Sequence, residues 1–307
     1  MTAYILRRLA FLALTVFITS LLIFVITQLL PGDVCRVILG REVGEGALEA
    51  CRADLGLDQP APVRYFTWLG EFLRGDWGSS YSTDAEILPL VVDRLNNSMQ
   101  LGALTLLIAV PISVALGVMA ALNAGRWADN MISIFSLAVV GLPEFVTGVL
   151  LIQFFGFPSI RGDLPFFEAV GRLLLPALTA TFVLLAYVAR LTRAGVLEEL
   201  RQAYVRTAVL KGLPRRVVIW KHVLRNALLP TITVVAISFG WLISGLVVVE
   251  NVFNYPGLGR LMVFAITRRD LPLLQAISLI TVLGFALANL AADLLYAALN
   301  PRIRVGS

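Results

Sequence analysis

The stretch Tyr204-Val-Arg-Thr-Ala-Val-Leu-Lys-Gly212-Leu-Pro214, running on to Arg225-Asn-Ala-Leu-Leu-Pro230, gathers the side chains of this sequence best suited to meeting a partner. Val205, Ala208 and Val209 recur at helical spacing, and Leu213 extends the stripe; Arg206, Lys211, Arg215 and Arg216 face elsewhere. That pattern recognises charge and shape and makes no bonds. Gly212-Leu213-Pro214 is a helix stop, with glycine at the C-cap and proline just beyond. Glu198-Glu199-Leu200 is expected to open the helix before it, because acids favour the positive end of the macrodipole. Two surfaces fit the segment. It can lie on anionic lipid with its cations at the headgroups. It can also enter a groove of a soluble protein.

The other candidate chemistry is sparse. Glu144 directly follows Gly141-Leu142-Pro143 inside an apolar run. A carboxylate at membrane depth costs about 2.5–3.5 kcal/mol on insertion scales, so Glu144 and Pro143 are candidates for a translocation path, or for a structural pair. Cys35 and Cys51 can form a disulfide or remain two buried thiols. With one histidine, His222, no His-rich metal site can be built, and no zinc-protease helix or phosphate-binding glycine loop occurs. Paired aspartates in the spans and a Ser/His couple are missing too, so an enzyme is not expected.

These residues are positioned by an apolar chain. Of 307 residues 58% are hydrophobic and 15% charged, and the mean hydropathy is +0.85. Soluble domains carry about 25% charged residues, so the composition is that of an integral membrane protein. Six spans are expected: Leu9–Leu30, Leu101–Leu122, Met131–Phe155, Leu173–Leu191, Leu229–Val249 and Leu273–Leu295. The first has 22 residues without a charge and no small-residue cleavage site after it, so it is read as a retained span. Pro143 and Pro111 are expected to kink spans three and two.

The charges sort by side. Arg7, Arg8, Arg126, Arg302 and Arg304 fall with nine basic residues that run from the end of span four to span five: Arg190, Arg193, Arg201, Arg206, Lys211, Arg215, Arg216, Lys221 and Arg225. The positive-inside rule makes that side cytoplasmic, with both termini. Asp33 to Asp93, on the other side, has eleven acids and five bases. The net charge of +5 therefore reflects topology and contact with lipid, with no nucleic acid implied. The chain divides into 1–30, the N-terminus and first span; 31–100, an outer insert; and 101–307, a five-helix core that includes the inner loop 194–230. The insert should hold helices near 44–55, capped by Gly56, and 62–74, with Val63, Phe66, Leu69 and Leu73 as the apolar face of the second. Glu250–Pro272 is expected to be an outer loop.

Thr207-Ala208-x3-Gly212 followed by Leu229-Pro230 resembles the coupling loop of bacterial ABC-importer permeases. The spelling with Tyr204, Arg206, Lys211 and Arg225-Asn-Ala-Leu-Leu-Pro230 is that of the dipeptide/oligopeptide/nickel branch. So are Leu30-Pro-Gly-Asp33, Leu55-Gly-Leu-Asp-Gln-Pro60, Leu73-Arg-Gly-Asp-Trp-Gly78, Glu250-Asn-Val-Phe-Asn-Tyr-Pro-Gly-Leu-Gly259 and Asn300-Pro-Arg-Ile-Arg304. The long segment after span one and the closing tail are similar to the B-type subunit. The resemblance implies an all-α, six-span permease of the type I importer architecture in a bacterial inner membrane. It implies a second homologous permease, two cytoplasmic ATPases and a periplasmic or lipid-anchored binding protein. ATP and Mg would be bound by the ATPases, leaving this chain without a cofactor. Tyr204, Arg206, Thr207, Ala208, Lys211, Gly212, Leu213 and Pro214 would then couple to the ATPases, with Ala208 and Gly212 small on the docking surface. Peptides are the expected cargo; nickel chelates, opines, glutathione or sugars are the alternatives. An ion-coupled secondary transporter would need more charges at mid-membrane than Glu144 alone.

Overall fold

The structure, a computed structural model, describes residues 2–29, 34–39, 43–54, 56–157 and 166–299. The motifs at Leu30–Asp33 and Asn300–Arg304 lie outside the described residues. The rest is almost entirely helical, with one isolated β-bridge between Ser79 and Glu86. The N-terminal part contains α1 (Thr2–Leu29), α2 (Val34–Leu39), α3 (Glu45–Asp54), α4 (Ala61–Arg74) and α5 (Ile87–Leu122). The central part contains α6 (Trp127–Gly141), α7 (Glu144–Phe155) and α8 (Phe166–Leu200). Then come α9 (Ala203–Leu210), α10 (Arg215–Val217), a π-helical turn (Val218–Val223) and α11 (Leu224–Ala227). The chain finishes with α12 (Leu229–Gly245), α13 (Val247–Val252), α14 (Leu258–Arg268) and α15 (Leu271–Leu299).

Among the described residues four helices are long and apolar enough to cross a bilayer, and two bent pairs raise the number to six if each pair is one span. The expected third span is one of those pairs. Its halves, α6 and α7, meet at 102°, far beyond a kink. Pro143 disfavours the helical region for the residue before it, and Leu142 is extended at φ −89°, ψ 126°. Pro143 itself is the N-cap of α7, so Glu144 occupies the first turn of a new helix rather than the middle of an old one. Pro111, by contrast, sits inside α5, which continues through it. The second bent pair breaks just before the expected fifth span: Arg215–Ala227 meets Leu229–Leu242 at 49°, and the span itself runs through α12 into α13.

The described residues cluster into two compact units, whose boundaries fall inside α5 and α15 and between Tyr255 and Pro256. One unit comprises, among the described residues, 99–255 and 288–299. Here α8 is the most enclosed candidate span, with 61% of its apolar window buried. Leu101, Ala177, Leu184, Leu242, Leu246 and Phe253 form its larger core.

The second unit is Thr2–Ser98 with Pro256–Leu287. The insert helices fall at 45–54 and 61–74, and Gly56 has the left-handed conformation of a cap (φ +61°). The face of α4 differs from expectation. Tyr65 and Phe72 are buried, whereas Val63, Phe66 and Leu73 are exposed. Aromatic rings decide it. Tyr65 packs edge-on against Phe17 and Phe24 of α1 and bonds Ser20 Oγ at 2.8 Å, and Phe72 stacks on Trp77 at 4.6 Å. Such rings bury more area than the aliphatic positions would. Segment 250–272 contains α14, whose Leu258, Leu261 and Ala265 pack inward, so it is not a plain loop. It is pinned by Asp270, fully buried, which accepts from Ser80 Oγ (2.5 Å), Ser82 Oγ (2.7 Å) and the Tyr81 and Ser82 N–H groups (3.2 and 3.1 Å). Burial, helped by the nearby Asp270 charge, raises the Tyr81 hydroxyl above its ordinary pKa.

Cys35 and Cys51 are joined in a disulfide, with their Cα atoms 5.9 Å apart and a separation of 16 positions in sequence. A loop of that length is stabilised by about 3 kcal/mol through the unfolded chain. Replacing both cysteines by serine is expected to speed amide exchange across α2 and α3 by roughly a hundredfold, read by hydrogen-exchange mass spectrometry. Unchanged exchange would show that packing alone holds the two helices.

Candidate functional site

The segment singled out by charge folds as a short helix, a turn and an ascending helix, built on the end of α8. Glu198, Glu199 and Leu200 are the last turn of α8 and do not open a helix. The long helix continues that far because Val196 is fully buried and Leu197 and Leu200 pack on the same small core. After Arg201, Gln202 turns extended (φ −69°, ψ 147°) and caps α9.

Behind α9 lies a core of Ala121, Val196, Val205, Ala208, Val218, Val223, Leu224 and Ala227. Val205 and Ala208 are turned into it, at 5% and 6% exposure. Ala208 is therefore not on a docking surface; it is the small residue that lets α9 lie close to its own chain. Val209 and Leu213, expected to share the stripe, are exposed. Leu210 is 83% exposed, and Arg206, Thr207, Lys211 and Gly212 are exposed beside it.

The turn is held from within the chain. The N–H of Lys211 donates to Thr207 O (3.0 Å), that of Gly212 to Val209 O (3.0 Å) and that of Leu213 to Ala208 O (3.4 Å). Gly212 is left-handed at φ +74°, which L side chains rarely adopt, yet a Cβ there would meet nothing within 4 Å. Pro214 then caps α10 at φ −59°, ψ 139°. Trp220 on the π-helical turn is 68% exposed.

Tyr204 ties three pieces together. Its hydroxyl makes a short hydrogen bond to the Glu199 carboxylate, lies 3.3 Å from His222 O, and accepts from Asn226 Nδ2 at 3.1 Å. Burial, then the Glu199 bond, raises the hydroxyl's pKa, so it stays a neutral donor at physiological pH. The single histidine thus contributes a backbone carbonyl here.

Two further supports were not visible in sequence. Arg193, counted above as one of nine basic residues on the inner side, grips Asp129 with both guanidinium arms, Nε to Oδ1 at 2.6 Å and Nη2 to Oδ2 at 2.7 Å. Asp129 is 3% exposed and also accepts from the Gly125 N–H at 2.9 Å. The second is Gly195, whose Cβ would stand 2.7 Å from the Ala227 carbonyl oxygen, so α8 and α11 meet backbone to backbone. Spacing hinted at neither, because each joins residues far apart in sequence.

The path candidates lie elsewhere in this unit. Glu144 is half-buried, and its Oε1 has no hydrogen-bond partner among the described residues. Pro143 contributes the break. On the following turn, Gly148 lets α7 approach Val252 and Phe253 of α13 and the start of the next coil. The structure does not bring Glu144 near the 204–214 segment in any described contact. Among the described residues no group of acids, histidines and cysteines could hold a metal ion.

Comparison with known proteins joins these parts. Residues 113–305 match the family described as binding-protein-dependent transport system inner membrane component, and residues 1–102 match its N-terminal companion. A probable peptide ABC transporter permease protein of Sinorhizobium fredii is 38% identical over 99% of this chain and 100% of its own. The glutathione transport system permease protein GsiC of Escherichia coli K12 is 38% identical over 99% of each chain. A crystal structure of an amino acid ABC transporter with histidines superposes with a TM-score of 0.55, covering 68% of this chain and 94% of that one; at 17% identity it speaks for the fold alone. A chain matched from end to end in this way belongs to the binding-protein-dependent transport system inner membrane components, as the multi-pass permease of an ABC importer in the dipeptide/oligopeptide/nickel branch.

Proposed function

We propose that the permease imports short peptides, glutathione-like ones included, and that the tip of α9 with its turn is where an ATPase pushes. The observation that carries the coupling role is Leu210, a leucine of α9 that is 83% exposed, beside Val209 and between Arg206 and Lys211. A helix lying on lipid would turn its apolar stripe to the membrane. Here α9 directs Val205 and Ala208 into its own chain and presents a mixed apolar and basic knob, which suits a protein groove with acidic margins. Tyr204, Arg206, Thr207, Lys211, Gly212, Leu213 and Pro214 form or hold that knob, and Ala208 backs it.

In this reading the segment lies on the cytoplasmic side with both termini, as the distribution of arginines suggests. A second permease completes the pore, two ATPases dock, and an external binding protein delivers cargo. ATP and Mg stay with the ATPases. Their closure pushes α9, and the Tyr204 bonds and the Arg193–Asp129 pair pass the displacement to α8 and α6. Glu144, at the α6–α7 break, is the polar group proposed to meet cargo crossing the membrane. The peptide reading draws on relatives named for peptide and glutathione transport.

Leu210→Cys offers a direct test, since the two native cysteines are bonded to each other. Labelled with a maleimide–diazirine reagent in the assembled transporter, it is expected to photo-crosslink to an ATPase subunit. Crosslinks to lipid alone would overturn the docking role.

A further inference from the structure

Helix α4 of the second unit presents three faces, because successive residues of a helix turn by about 100°. Tyr65 and Phe72, with the half-buried Trp68, look into the unit. Thr67, Glu71 and Arg74 form a polar flank on one side of that face, and all three are exposed. Val63, Phe66 and Leu73 form an apolar flank on the other. Phe66 is 64% and Leu73 77% exposed, so this flank has no cover within the chain. Water accounts for the polar flank alone. A row of large apolar side chains beside it marks a surface that meets something other than water.

The level of α4 along α1 decides what that is. The apolar stretch of α1 is Ile5–Gln28. Tyr65 packs on Phe17 and Phe24, and its hydroxyl lies 2.8 Å from Ser20 Oγ. The Trp68 ring is 6.1 Å from that of Phe24, and Arg64 Nη2 donates to Gln28 Oε1 at 2.6 Å. These α1 positions, 17 to 28, are the second half of the stretch. By the distribution of arginines it is the outer half. Ser20 and Gln28 are about 12 Å apart along the helix, so Tyr65 reaches well below the outer end of the span. Only 11% of the apolar window of α1 is buried, and Phe17, Leu21 and Val25 are exposed. The rings of Phe17 and Phe66 stand 6.3 and 5.2 Å from that of Tyr65, so two exposed apolar rings flank one buried tyrosine. The end of α4 suits a dry setting too. The N–H groups of Gly75 and Asp76 donate to Phe72 O and Glu71 O at 3.1 and 3.0 Å, leaving those carbonyls satisfied without water.

We infer that α4 is embedded in the outer leaflet of the membrane, with Val63, Phe66 and Leu73 among the acyl chains and Thr67, Glu71 and Arg74 at the headgroups. The partner of its apolar flank is phospholipid. An apolar flank at the level of a membrane span, next to a polar flank, is the pattern of a helix lying at the boundary of hydrocarbon and water. The segment 31–100, read from sequence as an insert outside the membrane, is then in part a membrane-surface helix. The inference needs α1 to cross the bilayer and does not depend on which cargo is carried or where the ATPases dock.

The test uses the assembled transporter in phospholipid nanodiscs. Phe66→Cys, Leu73→Cys, Thr67→Cys and Glu71→Cys each take a nitroxide label, since the two native cysteines are bonded to each other. Power-saturation EPR then compares collisions with oxygen, which concentrates in hydrocarbon, and with a water-soluble nickel chelate. At positions 66 and 73 oxygen collisions are expected to exceed nickel collisions severalfold, and at 67 and 71 the ratio should reverse. Nickel access at 66 or 73 equal to that at 67 and 71 puts the flank in water and overturns the inference. Low access to both reagents at 66 or 73 means that protein covers the flank, the second permease or the binding protein, and overturns it as well. All four positions are exposed, so the labels leave the Tyr65–Phe72 face of α4 intact. Should Phe66→Cys fail to assemble, Leu73→Cys decides by the same three outcomes.

Discussion

Gly212→Trp is expected to abolish ATP-driven uptake while the permease remains inserted, folded and able to bind its membrane partner. The backbone at Gly212 is left-handed, so any other residue there carries a strain of about 1 kcal/mol. Yet no atom stands within 4 Å of where its Cβ would be, and the turn is exposed, so a side chain there starts out toward solvent and not into its own chain. What the indole would meet is the partner. Gly212→Ala supplies the comparison, because it carries the same strain without the bulk. Alanine should retain most uptake, and tryptophan should lose at least about tenfold, the factor that 1.4 kcal/mol of lost docking produces. If alanine and tryptophan fail alike, the left-handed turn itself is what coupling needs. If tryptophan transports normally, α9 is not the inlet for the motor's work. Ala208→Trp would be uninformative, because it would burst the small core behind α9 before any partner was met.

The contrast between Ala208 and Gly212 shows what could be read beforehand. Spacing placed Val205 and Ala208 on one helix face, and so they are. But an apolar stripe says only that something covers it, and α9 covers its stripe with its own chain, so the partner's share had to be sought in the residues left outside. Local stop signals were legible for the same reason that they work: Gly212, Pro214, Gly56 and the helix at 61–74 depend on φ preferences of one or two residues. Glu198 and Glu199 misled because a first-turn preference is weak, and burial of Val196 carried α8 past them. The 102° break at Leu142–Pro143 was underestimated because Pro111 carries the same local signal without ending α5. In the outer insert the stacked rings of Phe72 and Trp77 outweighed the aliphatic spacing of Val63, Phe66 and Leu73. Long-range pairs left no local trace at all. Asp270 reaches Ser80 across 190 residues and Arg193 reaches Asp129 across 64, so spacing singled out neither aspartate, and Arg193 counted only as one inner-side cation among nine.

That last pair leads to an asymmetric expectation. Asp129 is buried at 3% exposure, whereas the Arg193 side chain is about a third exposed at 34%. Arg193→Leu leaves a carboxylate in the interior with only the Gly125 N–H and a long 3.5 Å contact from Ser133 Oγ. Breaking a buried pair from that side costs about 3 kcal/mol. Asp129→Leu leaves a cation that can swing toward solvent, and should cost about 1 kcal/mol, the range of exposed pairs. With both changed, no charge is stranded, so the double variant should resemble Asp129→Leu and restore much of what Arg193→Leu lost. In thermal unfolding of the assembled complex, Arg193→Leu should fall by roughly 5–10 °C and the other two by a few degrees. Additive losses would mean the two residues act independently and the bidentate contact adds nothing. If stability follows this pattern while ATP hydrolysis runs on without uptake in Arg193→Leu, the pair is also a mechanical tie. The ATPases would still close on α9, but α8 would no longer drag the turn before α6, and the push would be lost between them.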